Sequence, residues 1–444
     1  MKIQLSDHFT YKKLLKFTVP SVIMMIFSSV YGMVDGFFVS NFAGELEFKA
    51  VNFIMPVLML LGAVGFMFGA GGSALISKTL GEGDRERANG IFSFVTYTSI
   101  ITGVVIAIFG IIFLKPIAIA LGAGAMLENC IIYGTVILLA LPFFMLQMEF
   151  QSLFVTAEKP QAGLLVTIGA GVANMVLDAL FIGVFRWGIV GAAAATALSQ
   201  IIGGIVPIIY FSRKSNTGLL RLCKPVLDFK ALLKVCTNGS SELMTNISLS
   251  VMGILFNYQL LKYAGEEGDG IAANGVLMYV GFMFISIFIG YSIGVAPVIG
   301  YHYGAQNHKE LTSLLKKSQI IIFAISLSMF ILGEALAAPL SQIFVGYSEG
   351  ILEMTIRAFR LYSFSFLIVG FNIFGSAFFT ALNNGLVSAI LSFLRLFLFQ
   401  AITVIVMPLF MDLDGIWLSS TASEFMAIIV TLAFIIALRK RYKY

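Results

Sequence analysis

The sequence predicts an all-α integral membrane protein of about twelve transmembrane helices, arranged as two six-helix lobes related by a pseudo-two-fold axis along the membrane normal. Three observations predict it. The 444 residues are 59% hydrophobic and only 11% charged, against about 25% charged in soluble domains. Mean hydropathy is +0.96. Apolar runs long enough to span a bilayer recur about twelve times, and the second half of the chain repeats the order of the first.

In order, the spans read as residues 14–41, 50–80, 88–114, 126–156, 161–184, 188–212, 236–263, 270–302, 313–337, 352–381, 385–410 and 415–438. Several exceed the roughly 20 residues a bilayer needs, so tilted or projecting helices are expected. Lys and Arg fix the orientation. With both termini in the cytoplasm, about 21 basic residues fall inside and about 6 outside, the bias expected of cytoplasmic loops. The inside clusters are Lys12, Lys13 and Lys16; Lys78, Arg85 and Arg87; Arg213 through Lys234; Lys309, Lys316 and Lys317; and Arg439 to Lys443. The net charge of +5 therefore belongs to membrane edges and carries no nucleic-acid signal. The first apolar segment is too long for a cleavable signal, and none is expected.

The repeat is weak at any one place and consistent in order. Ala50-Val51-Asn52 returns as Ala272-Ala273-Asn274, Leu80-Gly81 as Tyr303-Gly304, and Pro116 as Pro339. Thr156-Ala157 returns as Thr380-Ala381, and Gly188-Ile189 as Gly415-Ile416. Six spans per half is even, so both halves enter from the same side and the repeat is parallel. The expected division is an N-lobe over 1–212, a cytoplasmic linker over 213–235 and a C-lobe over 236–444. A cavity between two such lobes is the usual substrate path of secondary transporters.

Asp35, in the first span, is the leading functional residue, because a carboxylate at membrane depth costs roughly 2.5–3.5 kcal/mol and needs a partner or water. Pro20, upstream on the same helix, removes a backbone hydrogen bond and lets the helix bend. Asn174 and Asp178 stand four apart in the fifth span and share a face; Thr196 follows in the sixth. Two carboxylates, an amide and a hydroxyl are hard oxygen ligands that suit a sodium ion or a shared proton; polar glue between helices is the competing reading for Asn174 and Thr196. The repeat sets Asp35 against Asn257 and Asp178 against Thr403, so only the first half keeps the acidic pair. Glu149, in the polar cluster QMEFQ, is a candidate for the cavity, as are Tyr31, Asn257 and Arg395. Arg395 lies deep enough to need a partner, and a structural role suits it best. Glu242, Glu334 and Glu424 are further membrane acids.

Other motifs carry little. The stretch Gly69–Asp84 lacks the second glycine of a phosphate loop, with Ser77 in its place before Lys78. It reads as tight helix packing and a turn, which argues against an ATP-driven pump. Asn238 and Asn246 match glycosylation sequons but lie at the cytoplasmic edge and within a span. Met and Phe are dense in the first two spans, a weak sign of adaptable binding. Cys130, Cys223 and Cys236 form no pair pattern, and the three histidines are scattered, so no disulfide framework or zinc site is expected. No nucleophile–base constellation appears, and no cofactor is expected: the chain does not read as an enzyme.

The segments VDGFFVSNFAG after Pro20, Ala50-Val51-Asn52 and GFMFGAGGSALISKTLGEGD resemble the multidrug and toxic compound extrusion (MATE) family, in its bacterial MepA-like branch, and the likeness spans the chain. It implies the MATE fold and a monomeric, multi-pass antiporter of the cytoplasmic membrane. Such an antiporter exports amphipathic, cationic drugs against an inward H+ or Na+ gradient by alternating access. The family's N-lobe cation site carries over onto Asp35, Asn174, Asp178 and Thr196, the residues that would hold Na+, and its first-helix proline onto Pro20. One departure stands out: LIVGFNIFG in the tenth span has no acid, so a C-lobe sodium site is not expected. The rival reading is a lipid-linked oligosaccharide flippase of a related superfamily, which needs a cationic cavity. A channel or scaffold fits the unequal halves less well.

Overall fold

The computed structural model describes residues 3–213, 218–265, 269–346 and 348–444; Lys214, within the expected linker, lies outside them. The first half contains α1 (Tyr11–Phe38), α2 (Glu45–Gly81), α3 (Arg85–Ala120), α4 (Leu127–Thr156), α5 (Pro160–Asp178) and α6 (Gly188–Ser212). The second contains α7 (Phe229–Ala264), α8 (Asp269–Gly304), α9 (His308–Val345), α10 (Glu349–Ser363), α11 (Phe366–Ala381), α12 (Gly385–Phe393), α13 (Gln400–Val406) and α14 (Pro408–Tyr442). No strand occurs among the described residues.

Each expected span has its helix, and most run longer than their apolar core. Charged and polar residues extend them past the hydrocarbon region, where hydropathy gives no signal. Ten helical stretches are long and apolar enough to cross a membrane, and an eleventh counts if α10 and α11, bent by 51° at their junction, form one span. α7 is long enough at 36 residues but too polar to qualify, carrying Thr237, Asn238, Ser240, Ser241 and Glu242 in succession. It starts seven residues before its expected limit of 236 because Asp228 caps it, Oδ1 accepting from the Ala231 amide at 2.9 Å. α12 and α13 are one span joined by a π-helical stretch, Leu394–Phe399. The last helix begins at Pro408 rather than near 415, with a break at Asp412, whose φ is +49°.

Within the first half, α4 is the central helix, packed on α2, α3 and α6, while α5 lies on α1 and α6. In the second half, α11 packs on α8, α9 and α12, and α13 on α14. The two halves meet through α1 on α8, α2 on α7 and α2 on α8. Glycine sets these approaches. A Cβ on Gly71 would lie 2.0 Å from the Val235 carbonyl oxygen, and one on Gly239 would lie 1.9 Å from that of Met67. Gly81 and Gly304, equivalent in the repeat, face each other the same way, against Tyr301 and Lys78. Asn383 reinforces the seam by donating to the Ala74 carbonyl at 3.0 Å. These contacts gather toward the end of the bundle that carries both termini and the linker. Large apolar side chains such as Ile101, Ile112, Leu165 and Ile343 are more than half exposed around the outside, as a lipid-facing belt requires.

The segment before α1 straps that end shut. Leu5 and Phe9 are fully buried. The Leu5 amide donates to Glu158 after α4 at 2.8 Å. The Phe9 amide donates to Glu310 of α9 at 2.9 Å, His8 Nδ1 lies 2.6 Å from the same carboxylate, and Lys317 Nζ donates to the Phe9 carbonyl at 2.5 Å. The strap thus ties the first half to the second.

A leucine at Gly71 or Gly239 has only backbone to displace. Each substitution is expected to cost about 1–3 kcal/mol and to lower the thermal midpoint followed by size-exclusion chromatography. An unchanged midpoint would mean that α2 and α7 part freely.

Candidate functional site

Asp35, Asn174, Asp178 and Thr196 come together between α1, α5 and α6. Gly171 allows it: on the face of α5 that carries Asn174 and Asp178 (i, i+3, i+7), a Cβ there would lie 2.5 Å from the Phe27 ring and 3.0 Å from the Tyr31 ring. The close approach of α5 to α1 follows from that missing side chain. Thr196 Oγ1 donates to Asp35 Oδ1 at 3.3 Å. Asn174 and Asp178 lie beside the same carboxylate, yet both Asp178 oxygens and Asn174 Nδ2 have no hydrogen-bond partner. Asn174 and Asp178 are buried while Asp35 and Thr196 are partly exposed, so the cluster has an open side.

π-helical turns follow both acids. Val39–Ala43 continues α1 beyond Asp35, and Ala179–Val184 continues α5 directly after Asp178. Such turns displace the backbone ladder and often occur at functional sites. No Lys or Arg pairs with either acid among the described residues. Two carboxylates facing an amide and a hydroxyl, with unpaired oxygens, suit a small cation: the donor set fits H+ or Na+.

Other candidates divide. α1 runs unbroken through Pro20, which sits where α1 meets α8: Cβ atoms on Gly290 and Gly294 would touch Val22 and Thr18. Tyr31 reaches Gln147 of α4. Glu149 is fully buried, accepts from Thr96 of α3 at 3.1 Å, and so does not line an open cavity in this conformation. Asn257 is exposed; the α7 side chain that turns inward is Gln259, donating to the Val404 carbonyl at 3.0 Å. Arg395 lies with Nε 3.2 Å from Glu424 Oε1. Glu424 Oε2 accepts from Asn372 at 2.7 Å, and Asn372 accepts from Thr431 at 3.0 Å. Arg395 is thus a compensated charge, held in the π stretch between α12 and α13. Glu334 accepts from Ser363.

Two features escaped the sequence. Tyr133, buried on α4, reaches Thr196; an aromatic in an apolar run gives no polar signal. The second half also holds a neutral counterpart of the acidic cluster. Ser423 donates to Gln400 Oε1 at 2.5 Å, Gln400 donates to Ser419 and Ser420 at 3.3 Å, and Thr403 donates to the Ser419 carbonyl at 3.0 Å. The repeat spacing sets Gln400 against Asn174 and Ser423 against Thr196, and would have found them. Where the first half has unpaired acids, the second has amides and hydroxyls that bond one another.

The MatE family profile matches residues 20–180 and again 243–406, at the spacing of the repeat. The chain is similar to the multidrug export protein MepA of Staphylococcus saprophyticus, 27% identical over 81% of this chain and 80% of that protein. It is also similar to MepA of Staphylococcus aureus strain NCTC 8325, 26% identical over the same shares. A solved outward-facing structure of a multidrug resistance MATE family transporter of the MOP superfamily superposes with a TM-score of 0.93, covering 100% of this chain and 98% of that one at 23% identity.

Arg395→Met alone strands Glu424 at a buried position and is expected to destabilise the protein by about 3–5 kcal/mol. Adding Glu424→Leu should restore most of that loss. Thermal melts of the three proteins check it, and a double variant as unstable as the single one would show that the pair is not coupled.

Proposed function

Because the chain belongs to the MatE family, whose members are membrane transporters rather than enzymes, we propose that it is a multidrug efflux antiporter of the plasma membrane. It exports amphipathic, cationic compounds in exchange for H+ or Na+, as a monomer with both termini in the cytoplasm. Residues 1–212 and 236–444 move as two lobes joined by the linker 213–235. The observation that carries the reading is the Asp35–Asn174–Asp178–Thr196 cluster, with unpaired carboxylate oxygens in a membrane interior and no cationic side chain to compensate them.

The mechanism follows from the seam and the cluster. With the termini inside, the glycine seam and the strap close the cytoplasmic end, which makes this the outward-facing arrangement. Asp35 and Asp178 take up the cation from outside. Neutralisation removes like-charge repulsion between the carboxylates and lets α1 repack against α5 and α6, which releases drug outward. The seam then opens inward, the cation leaves, and the bared carboxylates attract the next cationic substrate. Coupling requires only that the cation and the drug prefer different states. Among the described residues, the interior of the second half offers no free positive charge for a pyrophosphate, since Arg395 is matched by Glu424; that argues against the flippase reading.

Ethidium transport in proteoliposomes under separately imposed proton and sodium gradients tests the proposal. One gradient should drive transport, and Asp35→Asn should abolish it without loss of folded protein. Full transport by Asp35→Asn would remove the cluster from the mechanism.

A further inference from the structure

Glu149 stands apart from that cluster. Its side chain points from α4 to α3, with no exposed surface. Oε1 accepts from Thr96, Oε2 has no partner, and Ser99, adjacent on α3, has an unpaired hydroxyl. From α2 comes only backbone: a Cβ on Gly69 would lie 3.0 Å from Glu149 Cα.

No charged group faces the carboxylate from any helix packed on α4. On α2 the nearest is Lys78, which pairs with Glu82 at 3.3 Å. On α3 they are Arg85, committed to the Gly218 and Leu219 carbonyls, and Arg87, which pairs with Asp228 at 3.4 Å. Lys78 and Arg87 each lie nine residues from the level of Glu149, about 14 Å at the helical rise. α6 carries no charged residue, α5 has Asp178 at its far end and Lys159 just before its first turn, and α8 has charge only in its terminal turns, at Asp269 and His302. An ionised carboxylate without a counter-charge here would cost several kcal/mol, and among the described residues no second acid, His or Cys joins Glu149 in a metal-binding group. The species that neutralises Glu149 is a proton.

We propose that Glu149 is a second proton site of the transporter, an acid that gains and loses one proton in each cycle. This rests on the antiport reading and deepens it toward proton coupling. The partners suit exchange. Hydroxyls donate or accept by rotating, so Thr96 and Ser99 satisfy the carboxylate as donors and the acid with one as acceptor. A permanently neutral group would need no such pair. A line of hydroxyls continues from Glu149 toward the linker end on the same face of α4. Ser152 and Thr156 follow at i+3 and i+7, and Thr156 donates to Ser73 of α2 at 2.9 Å. Glu149 lies on the linker side of Tyr31 and Gln147.

Infrared difference spectroscopy and transport, on wild type, Glu149→Gln and Glu149→Asp, test the assignment. The wild type should show a carboxylic-acid carbonyl band that titrates with pH and is missing from Glu149→Gln. Proton-driven ethidium transport should be lost in Glu149→Gln and partly kept in Glu149→Asp, both verified as folded by size exclusion. Wild-type transport by Glu149→Gln, or a band that does not change with pH, would overturn the proposal and leave Glu149 a packing residue. If the wild type shows no transport under either a proton or a sodium gradient, the antiport reading fails by itself, and the infrared band still decides whether Glu149 exchanges its proton; transport driven by sodium alone would overturn the proposal.

Discussion

Charge in a medium that cannot solvate it is the constraint on which this molecule is built. In the second half Glu424 meets it with Arg395 and Asn372, and the Gln400 cluster is neutral and internally bonded. The first half breaks it at Asp35, Asp178 and Glu149, none of which meets a cationic side chain among the described residues. The two halves repeat one helical order, and the acids without a cationic partner gather in the first.

Much of this was legible in the sequence. Asp35, Asn174, Asp178 and Thr196 could be grouped because acids in apolar runs are conspicuous and a spacing of four defines a face. The spans were legible because hydropathy reports membrane depth, and their ends were not, because helices such as α3 and α9 extend into water where hydropathy is silent. The bend between α10 and α11 has no proline or glycine at Ser363–Phe366 to announce it. The repeat sets Asn257 against Asp35, whereas Gln259 is the side chain that turns inward, a two-residue difference that rotates a helical side chain by more than half a turn. Glu149 was visible as an acid, but its direction depends on which neighbour α4 presents it to, and that is a property of packing.

The same duplication explains the seam. Helices related by the repeat cross near the pseudo-axis, so whatever one presents the other meets in kind, and Gly81 against Tyr301 mirrors Gly304 against Lys78. Backbone-to-backbone contact of this sort contains no long side chains that need to find new rotamers when it separates and re-forms.

The strap before α1 has a consequence for how the protein is made. Leu5 and Phe9 are translated ahead of α1, yet the seat that buries Phe9 includes Glu310 and Lys317, translated some three hundred residues later. At about 5–20 residues per second, tens of seconds separate the two. Throughout that interval Phe9 lacks its seat at the membrane surface, and only a chain synthesised through α9 can supply it. Closure of the strap therefore waits on α9: a chain cut short before that helix would keep the Phe9 side chain on display to whatever quality-control machinery patrols the bilayer.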